Sequence, residues 1–182
     1  RAQNGDVLIL GKALGVGIMS AALKKGELRE KAYEQMIEST TQLNTAGIAL
    51  AELAGVHAMT DVTGFGLLGH LHEICRGSKL HADIQFDALP ILSAAKHLAQ
   101  DGYATGASDR NWGSVGPHVQ LPAGAPEWHI KMLTDPQTSG GLLVACDRAS
   151  ASRVLEIFKQ QGFKYACEIG ALQAGPATIS VS

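Results

Sequence analysis

Three cysteines, Cys75, Cys146 and Cys167, are spread over 182 residues with no CxxC and an odd count. That excludes a disulfide framework and fits unpaired, mostly buried thiols in a reducing compartment, which is read as the cytoplasm. No run approaches the roughly 18 uninterrupted apolar residues of a membrane span, and no secretory-signal pattern is read, so no membrane partner is expected. The net charge is −2 with both signs mixed along the chain, and no basic block marks a nucleic-acid face. Several catalytic patterns are also missing. Gly11-Lys12 is followed by Ala13, and Asp6 stands where a Walker A motif needs its first glycine. His70-Leu71-His72-Glu73 is not HExxH, and histidines two apart on a helix face different ways. His57, His81, His97, His118 and His129 are scattered and read as solvated or as core hydrogen-bonders. No Ser/His/Asp or Cys/His constellation is present.

Glycine is abundant, at 21 residues, and much of it clusters beside Thr, Ser and Asp. Between those clusters, short apolar runs alternate with helical periodicity. Strands are expected over 7–10, 56–62, 80–86, 142–146, 163–169 and 178–181. Helices are expected over about 18–25, 29–43, 46–54, 67–76, 92–99 and from Asp147, a plausible cap, to Gly162. In the second helix Tyr33, Met36, Ile37, Thr40 and Leu43 fall near one face. Residues 103–126 have weak periodicity and read as an ordered excursion with at most a short helix. Interleaved strands and helices give an α/β or α+β class, a mixed β-sheet layered with helices.

Two glycine segments carry the chemistry. In Thr60-Asp61-Val62-Thr63-Gly64-Phe65-Gly66 a carboxylate ends a strand, glycines follow and a helix begins. Asp61 is a hard oxygen ligand of the kind Mg²⁺ takes one or two of. Glycine turns before a helix let backbone N–H groups approach an anion, so Thr63, Gly64 and Gly66 are candidate phosphate contacts. A plain strand-to-helix turn with Asp61 as a local cap explains the same spacing. Gly64, Gly66 and Gly69 also match GxGxxG, with Asp83 and Asp87 near the distance a dinucleotide fingerprint requires. Against NAD, an acid at that strand end gives a pyrophosphate nothing. The second segment runs from Leu133 to Gly141. Thr138 and Ser139 offer hydroxyls, while Gly140 and Gly141 offer N–H groups, either to phosphates or to a partner domain. A simple loop into the following strand is the alternative.

These two segments, Thr60 to Leu71 and Leu133 to Ala145, resemble the two signatures of the carboxy-terminal domain of the selenophosphate synthetases (selenide, water dikinases). The first is shared in looser form across the aminoimidazole ribonucleotide synthetase superfamily. Asp6 to Gly17 and Arg110-Asn111-Trp112 are similar to further family segments, in order along nearly the whole chain. The resemblance implies a mixed sheet layered by helices and a reaction in which ATP, selenide and water give selenophosphate, phosphate and AMP. It also implies Mg²⁺, a homodimer and a metal-binding role for Asp61. It puts the catalytic Cys or Sec, the catalytic Lys and the remaining metal aspartates in an amino-terminal domain that precedes residues 1–182. No catalytic residue is therefore assigned here, and the start at Arg1 without a Met is expected of a fragment that is inactive alone. The family commonly has Thr-Lys-Pro-Leu-Gly where this chain has Gly11 to Gly15, which leaves Lys12 without an assigned role.

Overall fold

The computed structural model describes residues 1–182. Val7–Leu10 (β1) is an uninterrupted apolar run with all four side chains buried, as in a strand covered on both faces. It lies in a seven-stranded sheet with β2 (Val56–Asp61), β3 (Leu80–Ile84), β4 (Val119–Gln120), β5 (Leu142–Cys146), β6 (Cys167–Ala174) and β7 (Ile179–Val181). The order is β2-β5-β1-β6-β3-β7-β4. The pairs from β2 to β3 are antiparallel, whereas β7 is parallel to both β3 and β4. The sheet is mixed, as expected.

Eight helices flank it: α1 (Val16–Lys24), α2 (Glu30–Thr41), α3 (Ala46–Ala51), α4 (Gly66–Ser78), α5 (Ser93–Gln100), α6 (Gly106–Val115), α7 (Glu127–Leu133) and α8 (Ala151–Gln160). Period-2 alternation splits the strand side chains between two cores. Leu8, Leu10, Leu143, Ala145, Ile84 and Leu172 face a large core shared with α1, α4, α5 and α7. Val7, Ile9, Val144 and Cys146 face a smaller one closed by Leu50 of α3 and by Val154, Ile157 and Phe158 of α8. The strands beyond β1 lack that second cover, and there Asp83 and Gln173 point to solvent. Asp147 accepts the Ser150 N–H at 2.7 Å and so closes the turn before α8, but the N-cap position of the helix itself is Ser150, which makes no side-chain cap bond.

Three expectations are corrected. Residues 103–126 hold the ten-residue α6, which buries only Ser108 and Val115 and so shows no apolar stripe to read. The strand expected at 163–169 begins at Cys167 and runs on to Ala174. Phe163 instead turns back into the small core, edge-on to Phe158 at 5.3 Å. On α2 the buried residues are Ala32 and Met36, while Tyr33, Ile37 and Leu43 of the predicted face are exposed.

Candidate functional site

Asp61 ends β2, an edge strand hydrogen-bonded only to β5. Its carboxylate is exposed and makes no hydrogen bond or ion pair within the chain. The turn behind it is tightly held. The Thr63 N–H donates to His70 Nε2 at 3.0 Å, and the Thr63 hydroxyl lies 3.1 Å from the same nitrogen. An accepting Nε2 puts the imidazole proton on Nδ1 and makes the ring neutral. Burial lowers the His70 pKa, a tendency that Asp61 and Glu73 oppose. Sequence spacing placed His70 near this turn but gave no sign that it serves as acceptor for it.

Gly66 opens α4 at φ 68°, and a Cβ there would lie 2.6 Å from the Thr134 backbone. The first glycine segment thus sits directly against the second. The Gln137 N–H donates to Thr63 O at 3.0 Å, and the Val62 N–H donates to Gly141 O at 2.9 Å. A Cβ on Gly140 would stand 1.8 Å from Val62 O, and one on Gly141 would stand 2.3 Å from the Lys12 nitrogen. Asn111, from α6, bridges the two segments by donating to Gly64 O at 2.9 Å and to Thr134 O at 3.0 Å. All the segments singled out in the sequence therefore converge on one place.

Asp135 and Gln137 do something the spacing did not reveal: they serve the start of α1. Asp135 Oδ2 accepts the Gly17 N–H at 2.9 Å, and Gln137 Oε1 accepts the N–H groups of Gly15 and Val16 at 3.2 and 3.3 Å. Three of the four orphan donors at that helix end are satisfied in this way. Gln137 Nε2 returns a bond to Asp135 Oδ2 at 2.8 Å. Asp135 is fully buried and its Oδ1 has no partner, so burial raises its pKa to about 7. These contacts span 118 to 122 positions, beyond the reach of local pattern.

In the turn after Asp61 and in the loop packed against it, backbone donors are unspent. The N–H groups of Gly64, Phe65, Thr138, Ser139, Gly140 and Gly141 have no acceptor in the chain. Thr138 and Ser139 are exposed, and Ser139 holds φ 51°, a left-handed conformation uncommon outside glycine. One free carboxylate beside unpaired amides suits a hard cation that carries its own phosphate oxygens. Nowhere do three His, Cys, Asp or Glu side chains cluster as a metal cage. The other histidines are engaged elsewhere: His57 pairs with buried Asp6 at 2.8 Å, and His81 with Thr178 at 2.8 Å. Burial lifts the Cys75 thiol to about 12 and the Cys146 thiol to about 11, so neither is an available thiolate.

The dinucleotide alternative fails on topology. A Rossmann unit needs two parallel strands joined through the helix. Here β2 and β3, which flank α4, are separated in the sheet by β5, β1 and β6. Asp83 is held by His81 and Gln173.

Residues 3–181 match the model of the "AIR synthase related protein, C-terminal domain" family. The chain belongs to this family. It is 54% identical to the "Selenide, water dikinase" of Dechloromonas aromatica over 180 residues, covering 99% of this chain and 52% of that protein. With the protein of the same name from Burkholderia pseudomallei it shares 54% over 181 residues, covering 100% and 51%. The chain therefore spans about half the length of these relatives. Among solved structures, hydrogenase maturation protein HypE in complex with ATP superposes with a TM-score of 0.70 at 16% identity, covering 100% of this chain and 48% of that one. Thiamine-monophosphate kinase from Stenotrophomonas maltophilia gives 0.68 at 17%, covering 100% and 51%. At those identities the likeness shows the fold. The resemblance read from the two glycine segments holds, and so does the layered mixed sheet. No helix is long and apolar enough to cross a membrane.

Proposed function

We propose that this chain is the carboxy-terminal half of an ATP-dependent selenide, water dikinase. The full protein converts ATP, selenide and water to selenophosphate, phosphate and AMP, as a cytoplasmic homodimer. The chain supplies one wall of the Mg²⁺·ATP site: Asp61 as a metal ligand, and Gly64 and Thr138 to Gly141 as phosphate contacts, whereas Thr63 and Gly66, expected as contacts from the sequence, spend their N–H groups on His70 Nε2 and Thr63 O and so hold the turn. Phosphoryl transfer is mostly positioning and charge neutralisation, so a half-site of this composition has a definite part in it. The cation, when bound, neutralises charge on the phosphates. The nucleophile, the catalytic lysine and the other metal carboxylates come from the preceding half.

One observation carries the reading. An unengaged carboxylate and six unpaired backbone donors lie together where the two glycine segments meet. The 54% identity to selenide, water dikinases supports the choice of reaction. Exposed apolar side chains support an interdomain site. Phe65 is 66% exposed within the first turn, and Leu43, 71% exposed, precedes the Asn44 whose amide donates to Gly140 O. A preceding half seated there would cover both. The test is AMP formation from ATP with and without selenide, measured on the longer protein and on residues 1–182 alone. Selenide-dependent AMP from the longer protein and none from the short chain is expected. Selenide-independent turnover, or turnover by the short chain, would overturn the reading.

A further inference from the structure

Lys12 is a buried lysine with no acidic partner. It is 3% exposed, and its Nζ donates to Ser39 O at 3.1 Å, Gln42 O at 2.6 Å and Ser139 O at 2.6 Å. An ammonium group has three donors, so all are used and none remains for a phosphate. The 240 Å³ cleft beside it, lined also by Gln35 and Glu38, therefore gains no anion-binding power from this cation. Ser39 and Gln42 lie at the carboxyl end of α2, where orphan carbonyls and the helix dipole favour a positive charge. The third acceptor belongs to Ser139, the residue held in left-handed geometry.

That third bond fixes a direction. In a trans peptide the carbonyl and the following N–H point opposite ways. With Ser139 O drawn inward to Lys12, the Gly140 N–H faces away from it. The next two carbonyls are tethered likewise, Gly140 O by Asn44 at 2.8 Å and Gly141 O by the Val62 N–H at 2.9 Å. The Gly140 and Gly141 amides, on the other side of the first two of these peptides, are among those with no acceptor in the chain. We propose that Lys12 is a positioning residue which, by tying Ser139 O to the end of α2, holds the Ser139–Gly140 peptide with its N–H turned toward the nucleotide phosphate. This rests on the proposed Mg²⁺·ATP site. Lys12 touches neither substrate nor metal; it acts through the loop.

The test uses the longer protein and four forms: wild type, Lys12→Met, Lys12→Arg and Met36→Ala. Met36 is a buried core residue of α2, so its truncation destabilises the same helix without touching the loop. Two quantities are read on folded samples: the steady-state KM for ATP, and hydrogen exchange of peptides covering 134–141 with and without Mg²⁺·ATP. Wild type and Met36→Ala are expected to show the same KM and the same ATP-dependent protection. Lys12→Met is expected to raise KM about tenfold, the scale of one lost charge-assisted hydrogen bond, and to lose the protection. Lys12→Arg keeps the charge but not the compact three-way geometry and is expected to behave likewise; it decides alone if Lys12→Met does not fold. Unchanged KM and retained protection in the Lys12 variants would reduce Lys12 to a structural staple and overturn the proposal. No ATP-dependent protection in wild type would instead sink the phosphate reading of the loop, and the proposal with it.

Discussion

Gly140→Ala is the sharpest test of how the two glycine segments meet. The added Cβ falls 1.8 Å from Val62 O and 2.8 Å from Gln137 Cβ. Ordinary carbon–oxygen contacts are more than an ångström longer, so Val62 O or the loop must move by about that much. Val62 has little freedom, because its side chain is fully buried and its N–H is bonded to Gly141 O. Displacing the loop endangers that bond and the Gln137 N–H to Thr63 O bond. Two buried backbone bonds at about 1 kcal/mol each, with some desolvated donor left over, give a cost of about 3 kcal/mol. For a chain of this length that lowers the melting temperature by about 6–12 °C. Gly64 is the internal control. A Cβ there meets nothing within 4 Å, and its φ is not positive. Gly64→Ala should melt within about 2 °C of wild type, with any gain coming from the unfolded chain. The assay is a melting curve of both variants in one buffer. A Gly140→Ala melt indistinguishable from wild type would refute the close packing inferred between the segments.

Asp135 predicts a pH slope. Burial raises its pKa to about 7 from an ordinary value near 4, so between these the unfolded chain ionises while the folded one stays protonated. Stability relative to Asp135→Asn should therefore fall as pH rises from about 4 to about 7, by at most about 4 kcal/mol; parallel denaturant midpoints across that range would contradict it. His70 acts in the opposite sense, since its lowered pKa means the fold prefers the neutral ring. Stability tied to the Thr63 turn should be complete above the ordinary histidine value near 6.5 and decline in acid below it. His70→Gln, which keeps an acceptor, should lose this part of the acid dependence in the same titration. Asn111→Asp would set a carboxylate against the carbonyls of Gly64 and Thr134, and should cost more stability than Asn111→Ala, about 2 kcal/mol or more in all.

The fold was legible where burial writes a pattern. Val7–Leu10 and Leu142–Cys146 are apolar on both faces because both faces are covered, and they read as strands at once. The α4 stripe of Leu67, Leu68, Leu71, Ile74 and Cys75 was equally plain. α6 was not, because it rests on α4 through very few buried residues. The exposed face of α2 misled for a related reason. Tyr33, Ile37 and Leu43 have core-like spacing, yet this chain leaves them 43%, 39% and 71% exposed. At the site, local chemistry singled out Asp61 and the glycines as candidates, because strand end, turn and helix start are adjacent in sequence. The scaffold behind them was invisible. Asn111, Asp135, Gln137 and Lys12 act across tens to more than a hundred positions, and their partners are backbone groups that leave no signature in side-chain identity.

The central claim is that Asp61 holds the metal of an ATP site completed by a preceding half. The measurement is steady-state selenide-dependent AMP formation by the longer protein carrying Asp61→Asn, with a melting curve on the same preparation. The carboxylate is exposed and unpaired within the chain, so the substitution should leave the melt within about 2 °C. Activity should fall about 100-fold or more, the scale of losing one transition-state charge contact, with partial recovery at raised Mg²⁺. Near-normal activity would remove Asp61 from the metal site and contradict the account, and a collapsed melt would make its role structural.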